Sequence, residues 1–212
     1  MKLPRAFYAR PTLDVAADLI GKVFVHHRRG VRTSGAIVEV EAYIGESDPA
    51  CHAARGHTHR NEPLYGPPGR VYVYLNYGIH CLVNFVTEAP GSPAAVLIRA
   101  LEPLEGLEIM RRRRARETKG RRLRAETSAL SADGLCRGPG NLTVAMGISL
   151  SENRLDLLGD RLFVEDRGIR IGPLAWGPRI GINVGTEHRW RVYVAGHPAV
   201  SGKQAPTGAD SP

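Results

Sequence analysis

The sequence predicts one α+β domain: a mixed or antiparallel sheet with surrounding helices and a protruding β-hairpin. Three observations point there. Strand-type runs crowd the first half with helical segments interspersed, not in the regular alternation of a βαβ winding. Two such runs meet at Tyr77-Gly78, where a tight turn would fall. The chain has 212 residues, 42% of them apolar, which suits a single compact core. Residues 1–201 are expected to form the domain, and the polar, small-residue-rich tail 202–212 to be disordered.

Taken in order, Pro11-Thr12-Leu13-Asp14 opens a helix, with Leu13, Ala16, Ala17 and Ile20 at helical spacing and Gly21 as the stop. Lys22 to His27 reads as a strand, Val31 to Ser34 as a turn, and Gly35 to Tyr43 as a second strand. Gly45 to Gly69 is polar and rich in Gly, Pro and His, so a long loop is expected; loops of that length in compact domains usually carry function or are disordered. Arg70 to Thr87 supplies the hairpin, and Ala94 to Leu101 another strand. Pro103 is expected to open a helix reaching about Lys119. Arg121 to Cys136 reads as a mobile basic connector and Asn141 to Leu150 as a helix. Short strands around Leu162, Ile180 and Val192 complete the sheet.

Several function classes drop out. No apolar run approaches the roughly 18–20 residues that span a bilayer, and Met1 to Arg5 lacks the apolar core of a signal peptide. A soluble cytoplasmic protein is the expectation. Three widely spaced cysteines, Cys51, Cys81 and Cys136, with no Cys-x-x-Cys pair, argue against a disulfide framework or a structural zinc site. Cys51, His52, His57 and His59 invite a metal reading, but their spacing is untidy and no metal is expected. No phosphate-cradling glycine loop is present, so no nucleotide cofactor is expected either. The formal charge of +8 fits attraction to a polyanion, nucleic acid or an acidic membrane surface. Arg111 to Arg124 concentrates it, with eight Arg and one Lys against Glu117 alone. That run reads as a solvated, phosphate-facing surface or as an exposed helix end with no ligand.

Two segments carry candidate chemistry. From Ile37 to Tyr43 the residues alternate, placing Val38, Val40 and Ala42 on one face and Glu39, Glu41 and Tyr43 on the other. The polar face is either a solvated surface or a carboxylate at a cleft, where burial raises proton affinity and suits general-base work. The strand alone does not choose between them. In Arg70 to Asn84, Val71, Val73 and Leu75 alternate with Tyr72, Tyr74 and Asn76 before Tyr77-Gly78. An aromatic at a hairpin tip can pack on a neighbouring strand or serve as a wedge into a base stack.

The ordered set is more specific than its pieces. It runs Glu39-Val40-Glu41-Ala42-Tyr43-Ile44-Gly45, His52, Arg60-Asn61, Gly66-Pro67-Pro68-Gly69, Tyr72-Val73-Tyr74, Tyr77-Gly78, Asn84 and Arg99 to Gly106. Cys136 to Leu142, Pro178-Arg179-Ile180-Gly181, Tyr193-Val194, Gly196, Pro198 and Ser201 continue it. Over residues 10–201 the chain resembles the alkyladenine (3-methyladenine) DNA glycosylase family. The resemblance implies a base-excision-repair enzyme, and a monomer is the simplest expectation. It would act on duplex DNA carrying damaged purines, flipping the base out and hydrolysing its N-glycosidic bond, with no cofactor. It implies that Glu41 is the general base, that Arg99 helps hold the attacking water, and that the backbone carbonyl of Ile180 orients it. Tyr43, His52 and Tyr74 would wall the base pocket, Asn84 would screen the exocyclic amine of guanine, and Tyr77 would fill the gap left in the minor groove. Ile79 stands where the family pattern suggests Met.

This agrees with the chemistry. A base in a duplex must leave the stack before its glycosidic bond can be reached, and a carboxylate beside the sugar can both accept a proton and stabilise oxocarbenium charge. Arg99 beside Glu41 would lower the carboxylate's pKa and favour an ionised base; alternatively Arg99 pairs with Glu102 or Glu105. None of Lys2, Lys22, Lys119 and Lys203 lies in a matching motif, so Schiff-base chemistry is not expected. Two other classes stay open: a non-catalytic nucleic-acid-binding domain, and a metal-dependent hydrolase built on His52, His57 and His59.

Overall fold

A computed structural model describes residues 1–117 and 130–204, the side chain of Glu117 excepted. Helices α1 (Arg5–Tyr8) and α2 (Thr12–Leu19) lead into strands β1 (Val23–Arg28), β2 (Val31–Ile44), β3 (Val71–Asn76), β4 (His80–Val86) and β5 (Ala94–Glu105). Helices α3 (Leu107–Glu117), α4 (Ala132–Leu135) and α5 (Pro139–Met146) follow, then β6 (Leu162–Glu165), β7 (Leu174–Gly177) and β8 (Arg191–Val194). The strands form one antiparallel sheet in the order β3-β4-β5-β2-β1-β6, with β8 pairing both β2 and β7. The α+β architecture expected from the sequence is the one observed.

Period-two alternation decides what each face of the sheet does. Val38, Val40 and Ala42 of β2, Val71 and Val73 of β3, Val83 and Phe85 of β4, and Val96, Ile98 and Ala100 of β5 all join the main core. Helices α2, α3 and α5 cover that face, burying Val15, Leu19, Met110, Leu142 and Met146. Each such side chain contributes roughly 1.5–3 kcal/mol by leaving water. The alternate residues of the same strands, among them Tyr72, Asn84, Leu97 and Arg99, turn to the other face and line a cavity. One set of strands thus builds the core and the cavity back to back.

Four boundaries differ from the sequence expectation. The reversal into β2 falls at Arg29-Gly30, both at positive φ (51° and 72°), so Val31 to Ser34 begins the strand and is not a turn. Pro103 does not open a helix. It remains in β5 opposite Gly35, where the register shifts and a proline is tolerated; the helix begins after Gly106, whose φ of +80° turns the chain. Helix α5 starts earlier than expected, because Pro139 suits a first turn, and it stops at the left-handed Gly147. Ile180 lies in a loop after β7, outside any strand. The long 45–69 loop contains 3₁₀ turns at His52–Arg55 and Glu62–Tyr65.

Most of the expected connector and residues 205–212 of the tail lie outside the described residues. Residues 202–204 are tied to the domain: Arg191 Nη1 donates to the Lys203 carbonyl, and Gln204 bonds Gly196 and His197. No helix among the described residues is long and apolar enough to cross a membrane.

Candidate active site

The cavity occupies about 420 Å³, within the range of small-molecule sites. Strand alternation places Leu82 and Asn84 from β4 and Ala95, Leu97 and Arg99 from β5 along it. Aromatic walls come from Tyr43, His52, Tyr72 and Tyr74, and the loop after β7 contributes Ile180. Tyr77 also borders it while remaining 87% exposed at the hairpin tip. The hairpin turns through Tyr77 and Gly78, both at positive φ (49° and 69°), closed by the Ile79 amide donating to the Asn76 carbonyl. Holding a tyrosine in the left-handed region costs energy and projects an aromatic ring into solvent beside the cavity.

Glu41 is fully buried and contacts the cavity through three of its lining residues. Its Oε1 accepts from the Ile180 amide at 2.7 Å and pairs with Arg99 Nη1 at 3.2 Å. Its Oε2 accepts from the Tyr43 hydroxyl at 2.9 Å. A solvated surface strand is therefore excluded for Glu39 and Glu41, both of which have no exposed area. Burial raises the Glu41 pKa above the ordinary carboxylate range; Arg99, the Ile180 amide and the Tyr43 hydroxyl pull it down, and Glu39 pushes it up. Arg99 opposes desolvation, as the sequence suggested, but desolvation is the larger effect and the net shift is upward.

Arg99 pairs with neither Glu102 nor Glu105. Its Nε donates to Glu39 Oε1 at 3.1 Å and its Nη2 to Ser201 Oγ at 3.1 Å. Glu105 binds Ser34, Arg32 and Arg167 instead. His52 Nδ1 lies 2.9 Å from the Tyr72 hydroxyl, and its ring meets Tyr74 edge-on at 4.4 Å. Burial, with Arg60 nearby, lowers the His52 pKa, which favours the uncharged ring. Asn84 is held by donating to the Tyr72 carbonyl at 3.1 Å. The structure gathers Tyr43, His52, Tyr74, Tyr77, Asn84, Arg99 and Ile180 around one cavity, with Glu41 against it.

Two residues that no sequence signal singled out for a role, Arg179 and Asp48, support the Tyr43 wall without lining the cavity. Arg179 donates to both oxygens of Asp48 (2.6 and 2.8 Å) and to the carbonyls of Ala42 and Gly185. Its guanidinium lies over the rings of Tyr43 (4.7 Å) and Trp190 (5.1 Å). It backs Tyr43 from behind, as a cation–π contact does. Arg179 stood in a recognisable motif, but its partner is 131 residues away. The basic run is less free than expected: Arg111, Arg113 and Arg114 donate to the carbonyls of Leu130, Ala145 and Leu135, tying α3 to α4 and α5. The three histidines do not converge. His57 packs against Tyr65, and no group of three metal-ligating side chains exists among the described residues.

Residues 6–198 match the family model described as methylpurine-DNA glycosylase. A protein of Chlorobium phaeobacteroides (strain BS1), provisionally named a 3-methyladenine DNA glycosylase, is 48% identical over 206 residues, covering 96% of this chain and 97% of its own. Proteins with the same provisional name from Methanocella arvoryzae and Clostridium acetobutylicum are 45% and 43% identical, again across 96% and 95% of this chain and 97% and 98% of theirs. With more than nine-tenths of its length matched, this chain belongs to the methylpurine-DNA glycosylase family.

Proposed function

We propose that the chain is a monofunctional DNA glycosylase of base-excision repair that acts in the cytoplasm as a monomer. Its substrates are alkylated or deaminated purines in duplex DNA: 3-methyladenine, 7-methylguanine, hypoxanthine and ethenoadenine. One observation carries this reading. A fully buried carboxylate, Glu41, adjoins an aromatic-walled cavity through Tyr43, Arg99 and Ile180.

In this reading the damaged purine leaves the duplex at a cost of a few kcal/mol. It stacks among Tyr43, His52 and Tyr74, contacts of the kind that contribute about 1–3 kcal/mol per base. Tyr77 enters the gap in the duplex, and Asn84 crowds the position where guanine carries its amine. As the bond from sugar C1′ to the base nitrogen breaks, its electron pair leaves with the base. A water oxygen bonds to C1′ and passes its proton to Glu41. Arg99 orients that water together with the Ile180 backbone, and the Glu41 charge steadies the sugar cation. An abasic site remains.

The test is excision from defined duplexes carrying one lesion each, with and without EDTA, by wild type and Tyr77→Ala. Wild type releases alkylated purines equally in both buffers, and Tyr77→Ala binds lesion duplex more weakly and excises more slowly. Tight lesion binding with no base released would instead make the chain a non-catalytic DNA-binding domain. Loss of activity in EDTA would favour metal-dependent hydrolysis.

A further inference from the structure

Glu39 precedes Glu41 on the same face of β2 and is equally buried. Its Oε1 accepts from Arg99 Nε at 3.1 Å and from Arg191 Nε at 2.7 Å, and its Oε2 from the Ser201 amide at 2.7 Å. Ser201 is 8% exposed. Its Oγ accepts from Arg99 Nη2, and its carbonyl accepts from Arg191 Nη2 at 2.7 Å. The next residue, Gly202, has φ +66°, and a Cβ there would lie 2.6 Å from Ile180 Cδ1. The segment around Ser201 therefore presses on Ile180 and grips Arg99. The family match ends at residue 198, yet these contacts come from just beyond it.

Arg99 is consequently aimed by three anchors, one on each nitrogen: Glu39 at Nε, Ser201 at Nη2 and Glu41 at Nη1. We propose that Glu39 and Ser201 are positioning residues that direct Arg99 at Glu41, and that Glu39 also sets the pH at which Glu41 works; this rests on Glu41 being the base. Glu39 acts by charge. It draws on the cation that would otherwise serve Glu41 alone, and it repels the second carboxylate. The charged and titratable groups facing Glu41 are Arg99 from β5, Glu39 and Tyr43 from β2, Tyr74 from β3, Arg179 from the loop after β7, and Arg191, its register partner on β8. Among these groups of the described residues, Glu39 is the other carboxylate. Ser201 acts by geometry: without its hydroxyl, one edge of the guanidinium loses its stop.

The experiment is single-turnover excision of 7-methylguanine across pH by wild type, Glu39→Gln and Ser201→Ala, with duplex affinity and melting measured alongside. This lesion carries its positive charge throughout the acid range, so protonation of the leaving base adds no acid limb of its own. Glu39→Gln is expected to move the acid limb about 1 unit lower. Ser201→Ala should keep the wild-type limb, melting and affinity but lose about 5–10-fold in plateau rate. An unmoved limb in Glu39→Gln, or a wild-type plateau in Ser201→Ala, overturns the proposal. If Glu39→Gln does not fold, Ser201→Ala decides alone. A wild-type profile with no limb that Glu41→Gln removes defeats the base assignment itself, a separate and recognisable failure.

Discussion

Glu41→Gln is expected to slow single-turnover excision by about 10²–10⁴-fold, the usual contribution of a general base, while lesion binding and the fold survive. The fold survives because the amide can still contact all three partners, the Tyr43 hydroxyl changing from donor to acceptor. Its oxygen accepts from the Ile180 amide and Arg99, its nitrogen donates to the Tyr43 hydroxyl oxygen, and Glu39 still neutralises Arg99. Charge argues further. Glu41 titrates higher in the fold than in the unfolded chain, so the folded state binds more protons between those two pKa values. Stability therefore falls as pH climbs through that window and stays lower above it. A neutral isostere escapes this cost. At pH 7 the variant should melt at or above wild type, a stability gained where function is lost. A variant melting well below wild type would mean that Glu41 serves chiefly as a structural ion pair.

Asp48→Ala is expected to cost about 3–5 kcal/mol, because it strands a buried guanidinium. For a domain of this size that lowers Tm by on the order of 10 °C. The Arg179 side chain has no exposed area, and Asp48 is its carboxylate partner, bound through both oxygens. Asp48 also accepts from the amides of Ile44 and Ala50, so the turn after β2 loosens with it. Excision should fall as well, since Arg179 is the cation behind the Tyr43 ring. Adding Arg179→Met to Asp48→Ala removes the stranded charge and should restore most of the lost melting temperature. A single variant that melts like wild type would show that this ion pair contributes nothing.

How far the molecule could be read from its sequence follows from the range of each interaction. Alternation in Ile37 to Tyr43 and Arg70 to Asn84 announced both faces of β2 and β3, because side-chain direction along a strand is a local property. The tip at Tyr77-Gly78 was legible for the same reason. Pro103 misled, since a helix start and a tolerated strand bulge present the same residue, and only the partner Gly35 distinguishes them. The balance at Glu41 was out of reach. Its proton affinity depends on complete burial by segments from β5, β8 and the Ile180 loop, and no local pattern reports that. Asp48 with Arg179, and Glu39 with Ser201, meet across 131 and 162 residues. Their residue types are visible in the chain, but their meeting is a consequence of the sheet topology.

The claim on which the mechanism turns is that one buried carboxylate deprotonates the attacking water. Its most direct measurement is the single-turnover rate of 7-methylguanine release against pH, in wild type and Glu41→Gln. Wild type is expected to show a single acid limb centred above the ordinary carboxylate value of about 4.3, and the variant a slow profile without that limb. The same limb in both proteins, or a wild-type rate indifferent to pH down through the carboxylate range, would contradict it.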